Sequence, residues 1–321
     1  MTMKERVKKI DLHLPTGWGT ATTEDLEIIA AAIISEQAAT GRYRVFDWKR
    51  VKLNVVLAIN GISVVGRDDD ENHALQTDGE ITKGDESTWL VQRQQDSEPW
   101  EINAGQMLAL TERLGWIDDN NIKSPIFHFP YPTLTIDHLP LTILSEKSGQ
   151  ARAYHLPLTL QGPPPLMDGY TWREYRQMQD WMTTFLRLNN SGKDSTEARS
   201  QFLALLFKRQ DESAVPASTF NGFSPVQWQV ILFWWSSLMH ILQGKFPRVF
   251  KKQAVGKGKK KKRRQQAGTE WDFYNSVTAS IQKYIGGLSA QDVDSQPYGV
   301  TLQQLEMMAK ESEEMERLKK K

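Results

Sequence analysis

The segment VQWQVILFWWSSLMHIL, residues 226–242, constrains the fold more than any other part of the chain. Its apolar residues lie on nearly every side at helical spacing, and such a helix is stable only when other elements surround it. It is short of the ~20 apolar residues that span a bilayer, and Gln, Ser and His interrupt it. The expectation is a buried central helix in a protein without membrane association. Ser224 stands at its N-cap, Pro225 falls in its first turn, and Gln227 has the spacing of a capping box. On this reading His240 is a hydrogen-bonded core residue.

Helical patterns dominate the rest of the C-terminal half. YTWREYRQMQDWMTTFLRL places Trp172, Tyr175, Met178, Met182 and Phe185 on one stripe. ARSQFLALLFKR reads as a short helix. TEWDFYNSVTASIQKYIGG reads as another, stopping at Gly286 and Gly287, and TLQQLEMMAKESEEMERLKKK as a last, largely exposed one. Near the start, KKIDLHLP alternates like a strand ended by Pro15. A helix follows with Thr22 and Asp25 at capping-box spacing and with Leu26, Ile29, Ile33 and Ile34 on its stripe. A second helix has Asp47 as cap and Gly61 as stop. TWLVQRQ reads as a strand, and NAGQMLALTERLGWI as a helix capped by Asn103. Between Ser124 and Pro165 the chain is Pro-rich and β-prone, with LPLT at 139–142 and again at 156–159. A hairpin turning at 147–150 fits it, with the prolines at edge positions.

The expected fold is mainly α with a smaller α+β part: a helical C-terminal half around a central buried helix, and a β-rich, Pro-containing middle section. Three segments follow. Residues 1–66 form a small α+β unit. Residues 67–165 hold an acidic loop, a helix and the β-rich section. Residues 166–321 form a helical domain with a basic loop at 251–264.

Charge is unevenly placed. The net charge is +1, yet eleven of the 40 basic residues fall in 245–264, where there is no acid. The remaining 29 bases face 39 acids, so the body is acidic and carries one basic patch. Nine Lys and Arg in 251–264 could neutralise several phosphates and give salt-dependent binding. No aromatic interrupts them, so a base-stacking platform is lacking and any nucleic-acid contact, through Lys257, Lys259, Lys260, Lys261, Lys262, Arg263 and Arg264, would be nonspecific. The competing reading is a solvated, self-repelling loop, flanked by core anchors at Phe246, Val249 and Phe250 on one side and Trp271 and Tyr274 on the other.

Signatures of catalysis or ion binding do not assemble. Cysteine is absent, which excludes disulfides, thiolate metal sites and Cys nucleophiles. Gly192-Lys193 and Gly258-Lys259 are each followed by the wrong residue for a phosphate-binding loop. Asp68, Asp70 and Asn72 open like a calcium loop, but its sixth and twelfth positions are His73 and Gly79. Of the six histidines none makes an i, i+4 pair. His128, His138 and His155 share the β-prone section, but their spacing does not ask for zinc. Asp118 and Asp119 read as loop residues after a helix. The expectation is therefore no enzyme, cofactor or metal site. MTMKERVKKIDLHLP has no apolar signal core, which fits a cytoplasmic setting.

LHLPTGWGTATTEDLEIIAAAI, PPPLMDGYTWREYRQMQDWMTTF, SPVQWQVILFWWSSLMHILQGKFPRVF and WDFYNSVTASIQKYIGGLSAQDVDSQPYGVTLQQLEMM occur in that order. Taken together the pattern resembles proteins of Bacteroidetes phages and prophages, some of which sit in tail modules near the tape-measure protein. In size and helical character these are similar to tail assembly chaperones. The resemblance implies a phage assembly factor in the host cytoplasm whose partner is another phage protein, with the tape measure as the leading candidate. It brings no functional residues with it. A nucleic-acid-associated phage protein and a connector or tail component of the virion are the alternatives. A chaperone for a long apolar helix needs adaptable surfaces, which Met178, Met182, Met239, Met307, Met308 and Met315 could supply unless they are core residues.

Overall fold

The computed structural model describes residues 12–40, 46–67, 88–95, 98–119, 124–144, 151–211, 213–250 and 270–319. The acidic stretch at 68–72 and the basic run at 251–264 lie outside them. The fold is mainly α, with nine α-helices and two small antiparallel sheets among the described residues. It divides into two compact units: residues 1–126 with 225–233, and residues 127–224 with 234–321.

The first unit begins with helix α1 (Thr23–Thr40). The Thr22 hydroxyl accepts from the Asp25 N–H at 3.1 Å while Asp25 accepts from the Thr22 N–H at 2.9 Å, the reciprocal capping box its spacing predicts. Leu26, Ile29 and Ile33 are buried, and Ile34 half-buried. Helix α2 (Trp48–Ile59) is capped by Asp47 and ends where Gly61 takes a left-handed φ of 58°. Strands β1 (Ile62–Arg67), β2 (Thr88–Arg93) and β3 (Trp100–Asn103) pair antiparallel in chain order. Asn103 then caps helix α3 (Ala104–Glu112) through a capping box with Gln106. Trp18 packs edge-on to Trp116 with ring centres 4.9 Å apart, and lies 4.7 Å from Phe233. The expected strand at 8–15 does not form over its described residues, 12–15. Their backbone bonds instead to side chains, as where the His13 N–H donates to Asn60.

The second unit holds the hairpin of β4 (Thr133–Leu144) and β5 (Ala151–Gln161). The two LPLT copies meet in it, with Leu139 opposite Leu156. The ribbon has two strands, so both prolines are on edges, as the loss of their N–H requires. The turn itself lies outside the described residues. Helices α4 (Trp172–Asn190), α5 (Thr196–Leu206), α6 (Pro225–Lys245), α7 (Glu270–Ile285), α8 (Ala290–Ser295) and α9 (Tyr298–Lys319) follow. The whole α4 stripe from Trp172 to Phe185 is buried. Each such side chain contributes about 2 kcal/mol by leaving water.

Helix α6 is largely buried, but two details differ from expectation. Its side Ser236, His240 and Gln243, at positions i, i+4 and i+7, is exposed, so His240 is a surface residue. Ser224 occupies the N-cap without a side-chain bond, so the box with Gln227 does not form. Pro225 already presets the first turn and removes one orphan donor. No described helix is long and apolar enough to cross a membrane.

Glu36 carries the main buried charge of the first unit. It is 4% exposed and accepts from Arg50 Nε at 2.6 Å and Nη2 at 2.5 Å, and from the Asp47 N–H at 3.1 Å. The Arg50 hydrogen bonds hold its carboxyl below the ordinary 4.5 against the opposing effect of burial, with the Asp47 N–H assisting. A lowered folded pKa means that this stabilisation is present above pH 4.5 and is lost as pH falls through the folded value. Glu36→Gln is expected to cost about 3 kcal/mol at pH 7 in a urea melt, and the gap from wild type should shrink below pH 4. An unchanged gap at low pH would contradict the ion-pair assignment.

Candidate functional site

The residues with candidate chemistry are dispersed. Lys257 to Arg264 lie outside the described residues. Asp118 is taken up by an ion pair with Lys52 at 2.7 Å. His128 is exposed with its ring against Phe127, and the side chains of His138 and His155 are not described. Among the described residues no group of three or more His, Asp and Glu could hold a metal. The methionines separate cleanly. Met178 and Met182 are core residues and Met239 and Met308 are half-buried, whereas Met307 is 51% and Met315 61% exposed.

Single exposed apolar side chains are ordinary on a protein surface, and only their concentration is informative. Ten large ones are well exposed among the described residues. Six of the ten fall on two helices: Tyr284 and Ile285 at the end of α7, and Val300, Met307, Met315 and Leu318 along α9. On α9 the spacing explains the grouping. Val300 and Leu318 are eighteen residues apart, which is five whole turns, and Met307 lies about 20° and Met315 about 60° from the line joining them, on opposite sides. Of the buried residues of α9, Tyr298 and Leu302 point the other way and Thr301 lies about 100° from that line. Helix α9 therefore has a packed face in its first turns and, beyond the half-buried Gln304, an open stripe that carries Met307, Met315 and Leu318. Tyr284 joins the open face by donating its hydroxyl to Glu311 at 2.7 Å, between Met307 and Met315. That bond raises the phenol's pKa above its ordinary 10.0.

The base of α9 is held firmly. The Tyr298 N–H donates to the Tyr170 carbonyl at 2.9 Å, and the Trp172 N–H to that of Gln296 at 2.7 Å. The Tyr298 ring stacks on Tyr175 at 4.9 Å. Arg176 bonds Asp294 at 2.7 Å. The Tyr298 hydroxyl donates to the carbonyl of Leu166, whose φ of 54° is left-handed, as is that of Met167 at 53°. Non-glycine residues hold such a backbone only where their surroundings impose it.

A second brace acts further along. Glu306 accepts from the N–H groups of Arg248 and Val249 at 2.8 and 3.2 Å and pairs with Arg248 Nη1 at 2.9 Å, while Glu313 meets Arg248 Nε at 3.3 Å. The last turn before the basic run is thus fastened to the flank of α9. Phe246 is buried there, as expected of an anchor, while Val249 and Phe250 are half-buried. The side chains of Trp271 and Tyr274 are not described. Sequence reasoning missed both Glu306–Arg248 and Tyr284–Glu311, because the partners are 58 and 27 residues apart and carry no periodic signal.

No protein-family model, curated protein or solved structure matches the chain.

Glu306→Ala is expected to speed amide hydrogen exchange at Arg248 and Val249 about tenfold or more while lowering the thermal midpoint only slightly, since the brace is local to one turn. Unchanged exchange at those two amides would show that Glu306 does not hold this turn.

Proposed function

We propose that the protein is a non-enzymatic phage assembly factor that binds another phage protein through the open face of α9 and the end of α7. A tape-measure protein in tail assembly is the leading partner. The observation that carries this reading is the row of exposed Val300, Met307, Met315 and Leu318 along α9, joined by Tyr284 through its bond to Glu311. Leaving a Met or Leu exposed forgoes about 2 kcal/mol that a partner would recover. Methionine is unbranched and polarisable, so it accommodates partners of varied shape. The phage context rests on the sequence resemblance.

A second reading draws on the nine bases of 251–264, whose density suits phosphate contacts. A third makes the chain a component of the virion. Tagged chain recovered from nuclease-treated, phage-producing cells separates the three. The expected result is a phage protein, identified by mass, retained by wild type and by a variant lacking 251–264, and reduced about tenfold by Met307→Glu/Met315→Glu. The chain should be absent from purified particles. Retention lost with nuclease or with the 251–264 deletion would support the nucleic-acid reading. Stoichiometric presence in particles would support the structural one.

A further inference from the structure

The charges nearest the centre of the open face of α9 are acidic. Glu311 and Glu314 lie within about 50° of the line through Val300 and Leu318, interleaved with Met307 and Met315. The bases of the same half, Lys310, Arg317 and Lys319, lie about 80°, 100° and 100° from that line, on its borders. The other acids have different placements. Glu306 and Glu313 sit on the flank that clasps Arg248. Glu311 engages Tyr284 through one carboxylate oxygen, and Glu314 has no ion pair among the described residues. The surface is thus an apolar stripe with two carboxylates set into it and an aromatic side wall.

We propose that this face receives a basic amphipathic helix of another protein. Apolar side chains at i, i+3/i+4 and i+7 would settle on Met307, Met315, Leu318 and Tyr284, as helices dock in hydrophobic grooves. Lys or Arg beside them would meet Glu311 and Glu314. The inference rests on the reading of α9 as the docking surface and adds the partner's chemistry.

Charge argues against two other occupants. In a parallel pairing of two copies every glutamate of the stripe faces itself. In an antiparallel pairing that sets Met307 against Met315, Glu311 again faces Glu311. Like charges across an interface suppress that partner. An anionic bilayer is disfavoured for the same reason, since surface binding there draws on Lys and Arg flanking the apolar face.

The test uses the full chain and three labelled peptides of about 20 residues, long enough to match α9. One has Leu at i, i+3/i+4 and i+7 with Lys on the flanks. Its twin has Glu for every Lys, and the third scrambles the first. Fluorescence anisotropy at about 0.15 M salt reads the affinity. The basic amphipathic peptide should bind about tenfold tighter than either other peptide. Met307→Glu/Met315→Glu should remove that binding, and Glu311→Lys/Glu314→Lys should transfer the preference to the acidic twin. Each substituted position is exposed, so the variants should keep the wild-type melting midpoint, which is measured alongside.

Equal binding of the scrambled peptide would overturn the proposal as mere charge attraction. A preference unchanged by Glu311→Lys/Glu314→Lys would overturn the charge assignment, yet the assembly-factor reading would stand if Met307→Glu/Met315→Glu still released the phage protein. Insensitivity of both the peptide and the phage protein to that methionine pair would remove both readings. Concentration-dependent dimers in sedimentation, abolished by the same pair, would assign the face to a second copy and also overturn the proposal.

Discussion

The anchoring of the first turn of α9 is the constraint on which the candidate site depends. Tyr298 stacks on Tyr175, donates its N–H to Tyr170, and reaches Leu166 with its hydroxyl. Burial raises the pKa of that phenol, and the Asp168 charge raises it further, so it stays a donor across the working pH range. Arg176 and Asp294 fix the neighbouring helix. From this base α9 runs 22 residues, and its buried side chains all lie in the first five. Beyond them it is held at one flank by Arg248, and its outward stripe stays in water.

Much of the fold is written in local sequence. The caps at Thr22, Asp47 and Asn103 form because an oxygen two or three residues ahead of an orphan N–H is a purely local arrangement. The α4 stripe and the glycine stops at 61, 286 and 287 are local in the same sense. What could not be read depends on distant partners. Strand β1 contains Gly66 and a register shift after Val64, which spoils its alternation, and β3 has four residues. His240 looked internal because its helix is apolar on nearly every side, yet its own stripe, with Ser236 and Gln243, is exposed. The Ser224 box has the right letters and no bond.

The candidate site was half legible. The sequence left each methionine open between adaptable surface and core, because it does not say which face of α9 is packed. Tyr298, Thr301 and Leu302 decide that, and they leave Met307 and Met315 outside while Met178 and Met182 stay within. The excess of acids outside the basic run was also apparent. Its division could not be seen: Glu306 and Glu313 serve the Arg248 turn, and Glu311 and Glu314 accompany the apolar stripe. A wholly hydrophobic stripe would invite self-association, and two carboxylates on it select against that outcome.

The most direct measurement is peroxide oxidation of the methionines, read by mass spectrometry for the purified chain and for the chain in phage-producing cell extract. Thioether oxidation follows exposure. In the purified chain Met307 and Met315 should oxidise readily while Met178 and Met182 resist. In the extract the account predicts protection of Met307 and Met315 with the buried pair unchanged. Equal oxidation of Met307 and Met315 in both samples would mean that this face meets no partner, and would contradict the central claim.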